Sequence, residues 1–236
     1  MKSIQFESFS WPKRNDVNED SILTGIGNEV CYFGVADGVG GSPGGSFASK
    51  LAVLQAEEIL KKSDSVNIEL VFETIRQRFQ ETAITNPNLK DMATTFTFCI
   101  IKNGELFIGH VGDTRLFVIR NHDIFFRTTD QTLLQELVKK GSVNLAIVGK
   151  RYANILSSVL SASHGYTLET KLVRMEPGDK IVICSDGVYK RCSDTELLQL
   201  LIKSDSIAQF VLKVKAILRM RGIEDDSSLI CFQYLK

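Results

Sequence analysis

Histidine, proline and tryptophan are scarce, at three, four and one in 236 residues, and neither sign of charge is in excess. So few prolines, with no repeat or low-complexity tract, leave no Pro-rich linker to divide the chain, which reads as one domain over 1–236. The 28 Lys and Arg balance the 28 Asp and Glu. Without a basic surplus to grip a polyphosphate chain, nucleic acid is not the expected partner. The longest apolar runs, 180–185 and 229–232, stop far short of the roughly 20 residues that span a bilayer. Residues 1–11 lack the apolar stretch of a secretory signal. The expectation is a cytoplasmic protein with no membrane partner, monomeric by default. Cys31, Cys99, Cys184, Cys192 and Cys231 are odd in number and never spaced C-x-x-C, which argues against a disulfide framework or a zinc knuckle. Four of them sit among Val, Ile, Leu and Phe and read as small core hydrophobes.

What is present is the composition of a globular protein, 44% hydrophobic and 24% charged. Segments rich in β-branched and aromatic residues predict strands over 30–36, 94–102, 105–111, 115–120, 123–128, 167–175, 180–184 and 228–235. Short polar turns at 102–105 and 120–123 predict hairpins, and with them an antiparallel meander through the middle of the chain. Helical periodicity covers 46–62, 68–85, 131–140, 195–203 and 207–220. In the first helix, Ala48, Leu51, Ala52, Leu54, Gln55, Ile59 and Leu60 are expected to share one broad apolar face. Helices falling in pairs between strand blocks indicate an α+β fold, antiparallel sheet covered by helices, rather than alternating βαβ units.

The placement of the acids carries the chemistry. Asp37 closes the apolar run Tyr32-Phe33-Gly34-Val35-Ala36 and precedes Gly38; Asp186 closes Ile181-Val182-Ile183-Cys184-Ser185 and precedes Gly187. A carboxylate directly after a buried strand lies at a sheet edge, and the following glycine lets the backbone turn a carbonyl toward a ligand. Asp113 follows another strand, Asp225 precedes one, and Glu19-Asp20 adds a further acidic pair. Any one Asp-Gly is explained by a turn. Several together, three of them directly after an apolar strand, are not, and carboxylates gathered in one place require a cation. Oxygen ligands with few histidines favour Mg²⁺ or Mn²⁺ over zinc.

Seven blocks resemble, in order, the metal-dependent protein phosphatases of the 2C type, in a compact form like the bacterial members. They are Asn18-Glu19-Asp20-Ser21, Phe33 to Gly41, Ala93-Thr94-Thr95, Val111-Gly112-Asp113-Thr114-Arg115, Thr129-Asp130-Gln131-Thr132, Cys184-Ser185-Asp186-Gly187-Val188 and Asp225-Asp226-Ser227-Ser228. The resemblance implies a four-layer α-β-β-α sandwich of two antiparallel sheets flanked by helices. It also implies hydrolysis of phosphoserine and phosphothreonine in proteins, opposing a Ser/Thr kinase. Asp37 is implied to bridge two ions, the Gly38 carbonyl to hold one, and Asp186 with Asp225 the other. Glu19 and Asp20 are implied to act around the same centre through bound waters, and Asp113 with Asp186 matches a third-ion position in bacterial relatives. Asp37, Asp186, Asp225 and Asp20 are thereby the candidate catalytic acids.

Some positions depart from the family's pattern. Asn15 stands where the phosphate-binding arginine is usual, which makes Arg14, one residue earlier, the candidate for that role. Asp226 replaces the usual Asn, and its extra charge is expected either to tighten metal binding or to be solvated. Val39 stands where some eukaryotic members carry a histidine proposed as general acid. His110 is expected to be packed within its strand and not catalytic. Residues 141–151, with Lys150 and Arg151, correspond to the variable flap. Two other readings stand beside the enzyme: a catalytically weak module that binds a phosphoprotein partner, and a hydrolase of small phosphorylated metabolites.

Overall fold

The near-continuous apolar runs of the central strands follow from burial on both faces, one against helices and the other against a second sheet. The computed structural model describes residues 4–13, 17–27, 30–39, 44–62, 67–141, 152 and 154–235. The strands are β1 (Ile4–Trp11), β2 (Asp20–Ile26), β3 (Val30–Asp37), β4 (Ala93–Thr94), β5 (Phe96–Lys102), β6 (Glu105–Val111), β7 (Arg115–Arg120), β8 (Asp123–Arg127), β9 (Leu160–Ser161), β10 (Glu169–Arg174), β11 (Lys180–Cys184) and β12 (Ser227–Tyr234). The helices are α1 (Gly45–Lys62), α2 (Ile68–Thr85), α3 (Leu133–Lys139), α4 (Asp186–Tyr189), α5 (Asp194–Ile202) and α6 (Ile207–Arg221).

Two five-stranded antiparallel sheets form, in the orders β1-β12-β11-β7-β8 and β10-β6-β5-β3-β2, with a small β4-β9 pair beside them. Helices α1 and α2 cover the second sheet through Ala48, Ala52, Ala56, Phe72 and Phe79. Helices α5 and α6 cover the first through Leu197, Leu201, Phe210 and Val214. Between the sheets lie Phe33, Ile108, Ile183, Ile230 and Phe232, with Phe33 and Phe232 stacked across the interface at 4.4 Å between centroids. Each such ring buries apolar area worth roughly 1.5–3 kcal/mol. The expected four-layer α-β-β-α sandwich is therefore observed. All five cysteines are buried thiols, and among the described residues no helix is long and apolar enough to cross a membrane.

The structure corrects the sequence reading in four places. Strands β1 and β2, both at sheet edges, were not expected. In β1 the inward residues change sides midway: Ile4 and Phe6 face the inter-sheet core while Phe9 and Trp11 pack toward α6, which erases the period of two. The expected single meander is split. Both hairpins form around residues with positive φ, Asn103 and Gly104 (53° and 78°) and Asn121 and His122 (51° and 68°), but the chain crosses from one sheet to the other between β6 and β7. That crossing turns on Gly112 at φ 107°, packed against Thr95. On α1, Leu54 faces solvent at 57% exposure, and the buried stripe is the small set Ala48, Ala52 and Ala56 that lets the helix lie close on the sheet. Finally, Asp186 does not end its strand as Asp37 ends β3: it opens the helical turn α4.

Candidate metal centre

At one end of the sandwich the ends of strands from both sheets converge. Asp20 starts β2 and Asp37 ends β3, directly opposite one another in the antiparallel register. Asp113 follows β6, Asp186 follows β11, and Asp225 precedes β12. Glu19, Asp37, Gly38, Asp113, Asp186 and Asp225 line one cleft of about 280 Å³, together with Lys13, Thr95, Asn154, Leu156, Lys190 and Asp226. Six of the sequence candidates thus meet, although residues 19 and 225 lie at opposite ends of the chain.

Backbone interactions fix these positions. The Asp37 carbonyl accepts from the Thr95 N–H and the Thr94 hydroxyl, both at 2.8 Å, and the Gly38 N–H donates to the Glu19 carbonyl at 3.0 Å. A Cβ on Gly38 would collide with the Gly45 carbonyl at the start of α1, so glycine is required where these segments touch. The Ser185 hydroxyl donates to Asp20 Oδ2 at 2.7 Å and accepts from the Ser228 N–H at 2.9 Å, tying β2 of one sheet to β11 and β12 of the other. Asp20 itself is buried and is not part of the cleft lining; it supports the wall from behind.

Asp226 is not solvated. It is 4% exposed, and its two oxygens accept from the backbone N–H groups of Lys13 and Glu19, each at 2.6 Å. The extra charge at this position latches the N-terminal segment to the entry of β12. Arg14, the candidate phosphate ligand, and residues 142–151 of the flap, Lys150 and Arg151 included, lie outside the described residues.

The electrostatics show what the cleft lacks. Burial first, then the charges of Asp20, Asp186, Asp113 and Asp225, push the Asp37 carboxyl well above its ordinary range, although the residue lines the cleft. Burial likewise raises Asp20 to about 7, against the lowering effect of the Ser185 and Ser228 hydrogen bonds. Asp113 rises to about 7 through burial and Asp186, against the hydrogen bond from Tyr189. Asp20 Oδ1 is buried without a partner. Among the described residues no three His, Cys, Asp or Glu side chains are drawn tightly enough to cage an ion. Hard oxygen donors, an orphaned buried oxygen and carboxyls whose charge is disfavoured by burial and by neighbouring acids all suit a hard divalent cation.

Other features do not compete. A second cleft, of about 290 Å³, contains Arg120, Glu176 and Asp179, but Arg120 already binds Asp179 at 2.9 and 2.8 Å and Glu176 at 2.7 Å. His110 is buried, with Nδ1 2.7 Å from the Thr97 hydroxyl and Nε2 3.0 Å from the Thr129 carbonyl. Burial lowers it to about 4, so it is a neutral packed residue as expected. Lys190 and Tyr189 were missed by sequence reasoning. The only available signal was the four-residue spacing of Lys190 from Asp186, which is visible once α4 is known.

Similarity to known proteins agrees with this geometry. A family model for protein phosphatase 2C matches residues 10–224. The serine/threonine phosphatase stp of Listeria monocytogenes is 27% identical over 184 residues, covering 74% of this chain and 73% of that protein. Among solved structures, the Streptococcus agalactiae serine/threonine phosphatase superposes with a TM-score of 0.88 at 21% identity, covering 99% of this chain and all of that one. The catalytic domain of the phosphatase PstP, solved in complex with two manganese ions, gives 0.81 at 22% identity and 99% coverage of both chains. A match across nearly the whole sequence, on a sandwich whose acids meet at one end, places this chain in the protein phosphatase 2C family of metal-dependent serine/threonine protein phosphatases.

Proposed function

We propose that this cleft hydrolyses phosphoserine and phosphothreonine on proteins, with the whole chain, 1–236, acting as one catalytic domain. Asp37, the Gly38 carbonyl, Asp186 and Asp225 would hold two divalent cations, Mg²⁺ or Mn²⁺, with Glu19 on the same wall and Asp20 behind it. When bound, two such ions lower the pKa of a shared water enough to supply hydroxide at neutral pH for in-line attack on phosphorus. Asp37 sits where both sheets contribute charge and would be shared between the ions. Lys13, 3.8 Å from both Glu19 and Asp225, brings positive charge to the cleft wall. Arg14, the next residue, is the proposed phosphate ligand, its planar guanidinium suited to phosphate oxygens. No side-chain acid stands at Val39, so the leaving alkoxide would take its proton from water. The proposed setting is the cytoplasm, as a monomer opposing a Ser/Thr kinase.

The observation that carries this reading is the convergence of carboxylates from five chain segments on one cleft, with Asp37 and Asp113 pushed toward protonation. The test assays p-nitrophenyl phosphate and a phosphothreonine peptide with Mn²⁺, with EDTA, and with Asp186→Ala. Activity on both is expected, abolished by EDTA and reduced roughly a hundredfold or more in Asp186→Ala, since even partners behind a metal ligand cost 10–100-fold. Activity that survives EDTA would remove the metal mechanism. Silence on both substrates would leave a phosphoprotein-binding module, and turnover of only the small ester would favour a metabolite hydrolase.

A further inference from the structure

On one side of the cleft, two acids are held by consecutive side chains at the end of α4. The Tyr189 hydroxyl donates to Asp113 Oδ2 at 3.0 Å, and Lys190 Nζ donates to Asp186 Oδ2 at 2.5 Å. The clasp is rigid at its root. The Arg115 guanidinium lies 3.6 Å from the Tyr189 ring centroid, and Arg115 is itself fixed by Asp130 at 2.9 and 2.6 Å and by Asp194 at 2.7 Å. Lys190 follows Asp186 by four residues, so the helical turn presents both on one face, and its N–H donates to the Asp186 carbonyl at 2.9 Å. The opposite wall differs: Lys13 stands 3.8 Å from Glu19 and Asp225, beyond hydrogen-bond reach.

We propose that Lys190 is a built-in cation that occupies Asp186 Oδ2 on the Asp113 side of the cleft and confines divalent ions to the side of Asp37, Gly38, Asp225 and the other Asp186 oxygen. The ammonium supplies the positive charge that two neighbouring carboxylates require, and it spends its donors on an Asp186 oxygen that an added ion would otherwise use. A further ion must displace it and therefore binds weakly. This inference rests on the two-ion reading above and places a protein-derived charge where a third ion would stand.

The test counts Mn²⁺ bound to the intact chain by equilibrium dialysis and titration calorimetry, for the native protein and for Lys190→Met, which keeps the apolar stem without the charge. Lys190→Met should gain one site per chain at least about tenfold tighter than any additional binding to the native protein, because removing an adjacent unit charge is worth that much or more at an effective protein dielectric. Lys190→Arg should restore the native count, and adding Asp113→Asn to Lys190→Met should remove the gained site. Lys190→Gln serves the same purpose if the methionine variant aggregates. Equal counts and affinities in native and charge-removed chains overturn the proposal, as does a gained site that survives Asp113→Asn. Failure of the two-ion reading looks different: native protein that binds no Mn²⁺, or binds it undiminished in Asp37→Asn.

Discussion

At the scale of single residues, Asp226 does a task that its sequence position does not suggest. Its carboxylate spans two backbone N–H groups six residues apart, Lys13 and Glu19, and so sets where the N-terminal segment meets the cleft. Both bonds are short and charge-assisted, a kind roughly twice as strong as neutral ones. An asparagine here can accept only one of them, and its amide N–H₂ would face the other donor. Asp226→Asn is therefore expected to destabilise the fold by about 1–3 kcal/mol, the cost of leaving a buried donor unpaired. It should also raise KM for a phosphothreonine peptide more than it lowers kcat, because the segment it latches carries Lys13 and Arg14. Urea unfolding and steady-state kinetics check this; wild-type stability would show that the latch is not under load.

At the scale of elements, the site depends on how closely α4 approaches the entry to β12. Gly187 makes this approach possible, since a Cβ there would collide with the Asp226 carbonyl and come within 2.7 Å of the Ser227 hydroxyl. Gly187→Ala must push α4 away from β12, separating Asp186 from Asp225. Overpacking of this kind costs about 1–3 kcal/mol, and activity should fall further than stability explains, which parallel unfolding and kcat/KM measurements would resolve. The same elements show what a sequence can and cannot disclose. Strands β3, β5, β11 and β12 were legible because burial on both faces makes them continuous apolar runs. Edge strands β1 and β2 were not, one having inward residues that change sides and the other a polar start at Asp20-Ser21. Four residues cannot display a helical period, so α4 read as a turn. The acids were legible as a set because each abuts a strand. Their partners were not: the Asp226 latch joins residues more than 200 positions apart, and the Lys190 clasp needs α4 to be known first.

At the scale of the whole molecule, the acids place a repulsive seam between the two sheets. Asp37 and Asp113 extend from one sheet and Asp186 and Asp225 from the other, so a cation shared among them would fasten the layers together. In metal-free protein, protons would do part of that work. Asp20 and Asp113 are raised to about 7 from an ordinary value of 3.8, so the folded chain binds these protons more tightly than the unfolded chain. Their contribution to stability is fully present below about pH 4 and is lost as pH rises through about 7. The metal-free protein should accordingly be least supported at this end of the sandwich above pH 7, where a divalent ion meets no competing proton. One ion at a hundred times its Kd adds about 2.7 kcal/mol, or roughly 5–10 °C in Tm for a chain of this size. Calorimetric scans with Mn²⁺ and with EDTA should show that difference at pH 8, a smaller one at pH 5.5, and almost none in Asp37→Asn. If dialysis finds the ion bound at pH 8 while Tm stays unchanged, the acids do not join the sheets, and the ion rests on one wall of the cleft alone.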